Sequence, residues 1–376
     1  MRLRHIMKHQ RIHRYLEYRI GIITDMIKNY FEEDIIRINN ELNIPWEELK
    51  GKHILVTGAT GLIGYGIVST LLYCSEQRNL NITVYALARS LEKYQRRYEK
   101  HIKRFERLYC IESDIKDYTF FEEDIDFIIH AASETSSENF IKKAVETLDT
   151  AFLGTKNIME LSRIKKCKSV VYLSSMEVYG YPEKGQKVRE SNECTFNPLI
   201  ARNSYPLSKV ICENLCYSYY NEYQVPTKII RLTQTFGPGI EPTDRRVFAE
   251  FSKCAHEHKD IVLHTKGDTS RSYLYTADAI TAILTILLTG EAGKAYNVAN
   301  ETTYCSILEM ANLVAQIGKC DVKIQLTDTD KLGYANTLYM DLDTSRIRDL
   351  GWLPKYDLKS MYIRTIGGLS QNATFD

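Results

Sequence analysis

The sequence predicts a doubly wound α/β fold, a parallel sheet covered by helices on both faces, for most of the chain. Three observations predict it. Short apolar strands alternate with helical segments from His53 onward. The intervening segments are long enough to act as right-handed crossovers. A glycine-rich turn also joins the first strand to the first helix of that series. With 376 residues, 44% of them hydrophobic and 26% charged, the chain can bury a large core. Its formal net charge of +1 gives no reason to expect nucleic acid or an anionic membrane surface as a partner. The longest apolar run, Ala279 to Leu288, is interrupted by Thr281 and Thr285 and reaches about half a membrane span, so it reads as a buried helix. The nine cysteines contain no Cys-x-x-Cys pair. Reduced packing residues, no metal site and a cytoplasmic protein are therefore expected. The basic start, Met1 to Arg19, never gives way to a secretory apolar stretch.

Residues 1–50 read as a helical extension. A basic head of Arg2, Arg4, Lys8, Arg11 and Arg14 is expected to be a solvated helix. Ile20, Ile23, Ile27, Phe31, Ile35 and Ile38 then recur at helical spacing, predicting a helix packed on the body. Asn43-Ile44-Pro45 supplies the terminating turn. Residues 51–233 read as a dinucleotide-binding domain with strands at His53 to Thr57, Thr83 to Leu87, Leu108 to Ile111, Phe127 to Ile129, Ser169 to Leu173 and Thr227 to Leu232. Helices are expected over Leu62 to Leu72, Phe140 to Arg163 and Tyr205 to Tyr220. Residues 234–376 carry more Pro and Gly, as in Gly237-Pro238-Gly239 and Glu241-Pro242, and read mostly as a smaller substrate-binding region. Within them, residues 277–299 are expected to return to the dinucleotide-binding domain. Ser306-Ile-Leu-Glu309 is a capping box opening a helix that runs to Ile317.

The first strand is followed at once by Thr57-Gly58-Ala-Thr60-Gly61-Leu62-Ile63-Gly64. Gly58 can turn the chain sharply, Gly61 lets backbone amides approach a pyrophosphate, and Gly64 permits close packing of helix on strand. Thr60, Leu62 and Ile63 lie in the same cradle, where a helix N-terminus would point at the phosphates. The second strand ends in Leu87-Ala88-Arg89-Ser90. A cation there can pair with a 2′-phosphate, so NADP is favoured over NAD. The alternative is that Arg89 only starts the next helix and faces solvent.

Ser204-Tyr205-Pro-Leu-Ser-Lys209 contains Tyr-x-x-x-Lys about thirty residues after Ser174-Ser175-Met176-Glu177-Val178-Tyr179-Gly180. With 26 Tyr in the chain the spacing alone is weak. Its force comes from placement, because the serine segment follows the fifth strand at the carboxyl edge of the sheet, where such folds bind ligands. Tyr205 and Lys209 share a helix face. The Lys209 ammonium, with an oxidised nicotinamide, is expected to lower the phenol from about 10. Tyr205 would then take a proton from a substrate hydroxyl, and Ser175 would steady the same oxygen.

Together these landmarks resemble the extended short-chain dehydrogenase/reductase family, in particular its NAD(P)-dependent nucleotide-sugar epimerases and dehydratases, from about Gly51 to Leu353. Asp114 and Ile115 look like the family's Asp-Ile pair beside the adenine. Ile129-His130-Ala131-Ala132 looks like its fourth-strand motif, in which Ala131 and Ala132 leave room for the cofactor. Gly237-Pro238-Gly239 and Arg271-Ser-Tyr-Leu-Tyr275 fit two later landmarks. The resemblance implies that Lys209 also holds the nicotinamide ribose. It further implies a Rossmann core and a homodimer paired through helices equivalent to Phe140 to Arg163 and Tyr205 to Tyr220.

Glu177 resembles the carboxylate that dehydratase and decarboxylase relatives place near the sugar ring; the alternative is a carboxylate bonded locally to backbone. In 4,6-dehydratases the preceding position is Asp, whereas here it is Met176, a detail more similar to UDP-glucuronate decarboxylases. Gln234 stands where relatives usually carry Asn, and Arg271 is a candidate for a substrate diphosphate or carboxylate, or a surface residue. Ser175, Met176, Glu177, Gln234 and Arg271 are thus the candidate substrate contacts. The expected function is modification of a nucleotide-diphosphate sugar that begins with oxidation at C4. The alternatives are a uronate decarboxylase, a net NAD(P)H-dependent reductase and a non-catalytic NADP-binding module.

Overall fold

The computed structural model describes residues 29–117, 122–241, 243–327 and 337–372. The basic head, Ile20, Ile23, Ile27 and Pro242 lie outside the described residues.

Seven strands make the main sheet. They are β1 (His53–Thr57), β2 (Thr83–Ala88), β3 (Leu108–Glu112), β4 (Phe127–His130), β5 (Ser169–Ser175), β7 (Thr227–Leu232) and β11 (Ala295–Val298). Their order is β11-β7-β5-β4-β1-β2-β3, and every pairing is parallel. Between β5 and β7 in the chain lies β6 (Lys187–Val188), which belongs to a second sheet. The alternation of side chains along each strand divides the core. Ile54, Val56, Val84, Ala86, Ile129, Val171 and Ile230 join one apolar cluster, while Leu55, Tyr85, Leu87, Ile128, Val170, Tyr172 and Ile229 join the other. Helices Leu62–Gln77 and Thr276–Thr289 contribute buried residues to the first cluster, and Ala144–Lys165 and Ser204–Tyr223 to the second. Both faces are therefore covered, which is why these strands read as continuous apolar runs. The order reverses around β1, whose neighbours are β2 and β4, so a crevice opens at the carboxyl ends of those strands.

The sequence predicts one helix over Phe140 to Arg163, whereas the structure has two, Ser137–Lys142 and Ala144–Lys165. The break lies at Lys143, with φ −132° and ψ 48°. The Phe140 carbonyl, which an unbroken helix would offer to Ala144, instead accepts the Ser204 hydroxyl at 2.8 Å.

The second sheet runs β12-β10-β14-β6, formed by β12 (Asn300–Ser306), β10 (Ser270–Tyr275), β14 (Tyr339–Leu342) and β6; β8 (Gln234–Phe236) pairs with β10 off this path. A two-stranded sheet joins β9 (Ile261–Leu263) and β13 (Val322–Ile324). Helix Ile307–Gly318 begins with the expected capping box, both of its hydrogen bonds formed. Helix Thr276–Thr289 is buried along nearly its whole length. In the extension, helix Tyr30–Asn39 buries Asp34, Ile35 and Ile38. Its Asp34 carboxylate accepts hydrogen bonds from Tyr275, Tyr356 and Arg364. Phe31 stacks on Tyr65 with centroids 5.2 Å apart, placing this helix against the one that leaves the glycine turn.

Candidate active site

The glycine turn sits at the crevice. Gly58 has φ +63°, and a Cβ there would lie 2.8 Å from the backbone of Ala131 and Ala132, so the two loops touch through bare main chain. A Cβ on Gly64 would collide with the Gly58 carbonyl. Helix Leu62–Gln77 starts at Gly61 with no side-chain cap, leaving its first N–H groups to face the crevice. The Ala59 carbonyl accepts the Tyr98 hydroxyl at 2.7 Å, which holds the turn from the helix Leu91–Arg104. These features fit a dinucleotide pyrophosphate: a concave backbone, a positive dipole end and no side chain in the way.

Beneath the turn, the Ala132 N–H donates to Thr57 Oγ1 at 3.0 Å, and Thr57 Oγ1 lies 2.8 Å from His130 Nδ1. His130 Nε2 is 3.2 Å from Thr155 Oγ1. Burial pushes the His130 imidazole down to about 3, with the Lys209 charge adding to the effect, so the ring is neutral and acts as a polar strut. Thr60, Leu62 and Ile63 are half-buried at the same turn. Asp114 and Ile115 follow β3; Asp114 accepts the Lys116 N–H at 3.0 Å, and Ile115 packs against Gly154. Arg89 is exposed just past β2 and, among the described residues, has no hydrogen-bond or ion-pair partner.

On the other side of the crevice stand the residues of the serine segment and of helix Ser204–Tyr223. Ser175 ends β5, and Tyr205 and Lys209 lie in the first turns of Ser204–Tyr223. Ser175 accepts the Glu177 N–H at 3.2 Å and lies close enough to the Tyr205 phenol to favour its ionisation. Lys209 is buried, its ammonium donating to the Leu173 carbonyl at 2.7 Å and lying 5.8 Å from the Tyr205 ring centroid. Burial pushes Lys209 down to about 8. The expected lowering of the phenol is not what the protein's own groups produce. Burial raises Tyr205, the Glu177 charge adds to it, and Ser175, Arg202 and Arg246 pull against it. The lysine charge is taken up first by a backbone carbonyl, so it acts on the phenol at longer range.

Several residues that shape the site carry no sequence motif. Phe140 stacks on Tyr205 with centroids 4.3 Å apart and planes 9° from parallel. Arg202 lies over the Phe140 ring, 5.0 Å from its centroid, and pairs with Glu177 at 3.0 Å. Glu213 binds Arg231 at 2.7 Å and accepts the Ser174 hydroxyl at 2.5 Å. Arg231 continues to the Tyr179 hydroxyl at 2.8 Å, so both ends of segment 174–179 are fastened. Arg231 is the only one of these with a sequence signal, as the first residue of Arg231-Leu-Thr-Gln234.

The candidate substrate contacts are dispersed. Met176 is buried with Val178, Tyr179 and Met340, and its sulfur accepts the Thr233 hydroxyl at 3.3 Å. Gln234 and Arg271 lie on the neighbouring strands β8 and β10. Arg271 is half-buried, and its Nε has no hydrogen-bond partner among the described residues, which leaves the guanidinium available to an anion. Among the described residues no helix is long and apolar enough to cross a membrane.

A family model described as the NAD dependent epimerase/dehydratase family matches residues 54–299. The human dTDP-D-glucose 4,6-dehydratase is 26% identical over 339 residues, covering 87% of this chain and 94% of that protein. UDP-glucuronic acid decarboxylase 1 of Xenopus tropicalis is 26% identical over 266 residues, covering 71% of this chain and 60% of that one. The crystal structure of a dTDP-glucose 4,6-dehydratase from Streptomyces venezuelae, with NAD bound, superposes with a TM-score of 0.73 at 22% identity, covering 86% of this chain and 98% of that one.

Proposed function

The chain belongs to the NAD dependent epimerase/dehydratase family, and from that premise we propose that it modifies a nucleotide-diphosphate sugar, beginning with oxidation of C4. The observation that carries this reading is the convergence of Ser175, Tyr205 and Lys209 at the carboxyl end of β5, across the crevice from the Gly58 turn. The turn, Asp114, Ile115, Ala131 and Ala132 would hold the dinucleotide, and Arg89, exposed and unpaired among the described residues, favours a 2′-phosphate and hence NADP over NAD. When bound, the nicotinamide supplies a reversible hydride acceptor.

The chain's residues supply the proton chemistry. Tyr205 accepts the proton of the sugar hydroxyl, Ser175 holds the same oxygen, and the Lys209 charge favours the phenolate. With C4 a ketone, an adjacent C–H or carboxylate becomes labile, and Glu177 accepts or relays a proton. Arg271 and Gln234 would take the diphosphate sugar from the β8–β10 side.

Met176 favours a uronate decarboxylase over a 4,6-dehydratase within this class. It stands where the resemblance places the dehydratase acid, it has no acidic proton, and it is packed among apolar side chains. Loss of carbon dioxide from C5 needs no acid for a departing C6 hydroxyl. Helices Ala144–Lys165 and Ser204–Tyr223 expose Val145, Leu148, Phe152, Ile211 and Tyr217, which supports a homodimer formed through them.

The test is to incubate purified protein, without added cofactor, with UDP-glucuronate, UDP-glucose and dTDP-glucose, and to follow products by mass spectrometry. Carbon dioxide and a UDP-pentose product are expected from the first. Product formed only when reduced cofactor is added would indicate a net reductase. Unchanged turnover in Tyr205→Phe would overturn the site assignment.

A further inference from the structure

The pairing of Glu177 with Arg202 assigns a task to a residue that no motif marks. Arg202 comes from the short turn Ala201–Asn203, directly before the helix that carries Tyr205. Its side chain is about one-fifth exposed, at 19%, and its guanidinium makes two contacts at once. Nη2 donates to the Glu177 carboxylate at 3.0 Å, and the guanidinium plane lies over Phe140, which itself stacks on Tyr205. One side chain therefore touches the second carboxylate of the site and the ring that backs its phenol.

The electrostatic need is plain. A carboxylate near a phenol opposes its ionisation, and the chemistry proposed above requires both groups to be charged in turn. Tyr205 is faced by Glu177 from the turn after β5, by Arg202 from the turn before its own helix, by Arg246 from the loop before helix Val247–His256, and by Lys209 one turn along. Arg246 is already bound by Asp244 at 2.6 Å, and Lys209 by the Leu173 carbonyl. Arg202 is the cation that engages Glu177 itself.

We propose that Arg202 is a positioning residue that holds the Glu177 carboxylate at the site and offsets its negative charge at Tyr205. The assignment rests on the function proposed above, but its test needs no substrate. Protein labelled with 13Cζ-tyrosine and saturated with NADP+ is titrated by NMR, with Tyr205→Phe identifying the resonance. Arg202→Leu is expected to move the Tyr205 midpoint upward by about one pH unit. Arg202→Lys should restore most of that change, because it keeps the charge, and adding Glu177→Gln to Arg202→Leu should bring the midpoint back down. A lost fold would not produce that reversal. An unchanged midpoint in Arg202→Leu, no reversal by Glu177→Gln, or no titration in the unaltered protein below about pH 11 would overturn the proposal. Turnover of the three nucleotide sugars tests the underlying function separately, so either can fail alone.

Discussion

The Lys209 ammonium donates to the carbonyl of Leu173 at 2.7 Å, tying the helix of Tyr205 to the strand that ends in Ser175. This bond fixes the start of that helix against the end of the strand. It also keeps a buried cation 5.8 Å from the phenol ring centroid, with no carboxylate paired to it among the described residues.

Replacing that cation has a predicted signature. Lys209→Met should lower kcat by about 100-fold or more while the protein remains folded. The sign of the pH dependence follows from burial, which pushes Lys209 down to about 8. The group is charged below that value, so its support of the phenolate fades as pH rises through it. An alkaline decline in kcat beginning near pH 8 that is absent in Lys209→Met would be seen in pH–rate profiles.

Cofactor affinity should depend on the glycine turn through shape. A methyl group at Gly64 meets the Gly58 carbonyl, so Gly64→Ala must displace the turn or the helix. A stability loss of about 1–3 kcal/mol is expected from such overpacking, with dinucleotide binding weakened about 100-fold or more. Urea denaturation and calorimetric titration measure the two effects.

Arg89 tests the cofactor preference. In the unaltered protein NADP+ should bind more tightly than NAD+, and Arg89→Ala should weaken NADP+ about tenfold while leaving NAD+ nearly unchanged. Equal losses for both cofactors would show that Arg89 does not read the 2′-phosphate.

Lys228 offers a stability test away from the site. It is buried, donates to the Leu287 carbonyl at 2.7 Å, and is pushed down to about 8 from an ordinary 10.5 by burial. Below about 8 both folded and unfolded chains carry the charge, and the folded one bears its desolvation cost. Between about 8 and 10.5 the folded chain has released the proton that the unfolded chain still binds, so this group's contribution to stability rises with pH. Relative to Lys228→Met, the unaltered protein should gain about 1–3 kcal/mol between about pH 7 and pH 10, read from urea midpoints.

The main sheet was legible because buried parallel strands must be apolar on both faces, so His53–Thr57 and Thr227–Leu232 stand out as runs. Strands such as Lys187–Val188 and Ile261–Leu263 were not, since two or three residues carry no period and become strands only through their partners. The break at Lys143 was hidden for a related reason. Helical spacing continues through it, and the competing donor to the Phe140 carbonyl is the Ser204 hydroxyl, far along the chain.

The chain's own order of residues determined the layered architecture, the glycine turn and the placing of Ser175, Glu177, Tyr205 and Lys209, because each depends on neighbours within a few positions. Tertiary structure alone decided what surrounds them: Phe140 against Tyr205, Arg202 on Glu177, and Glu213 and Arg231 fastening the serine segment. Those contacts join residues from separate turns of the fold. Their charges and rings act through distances of a few ångströms, and no local spacing encodes such distances.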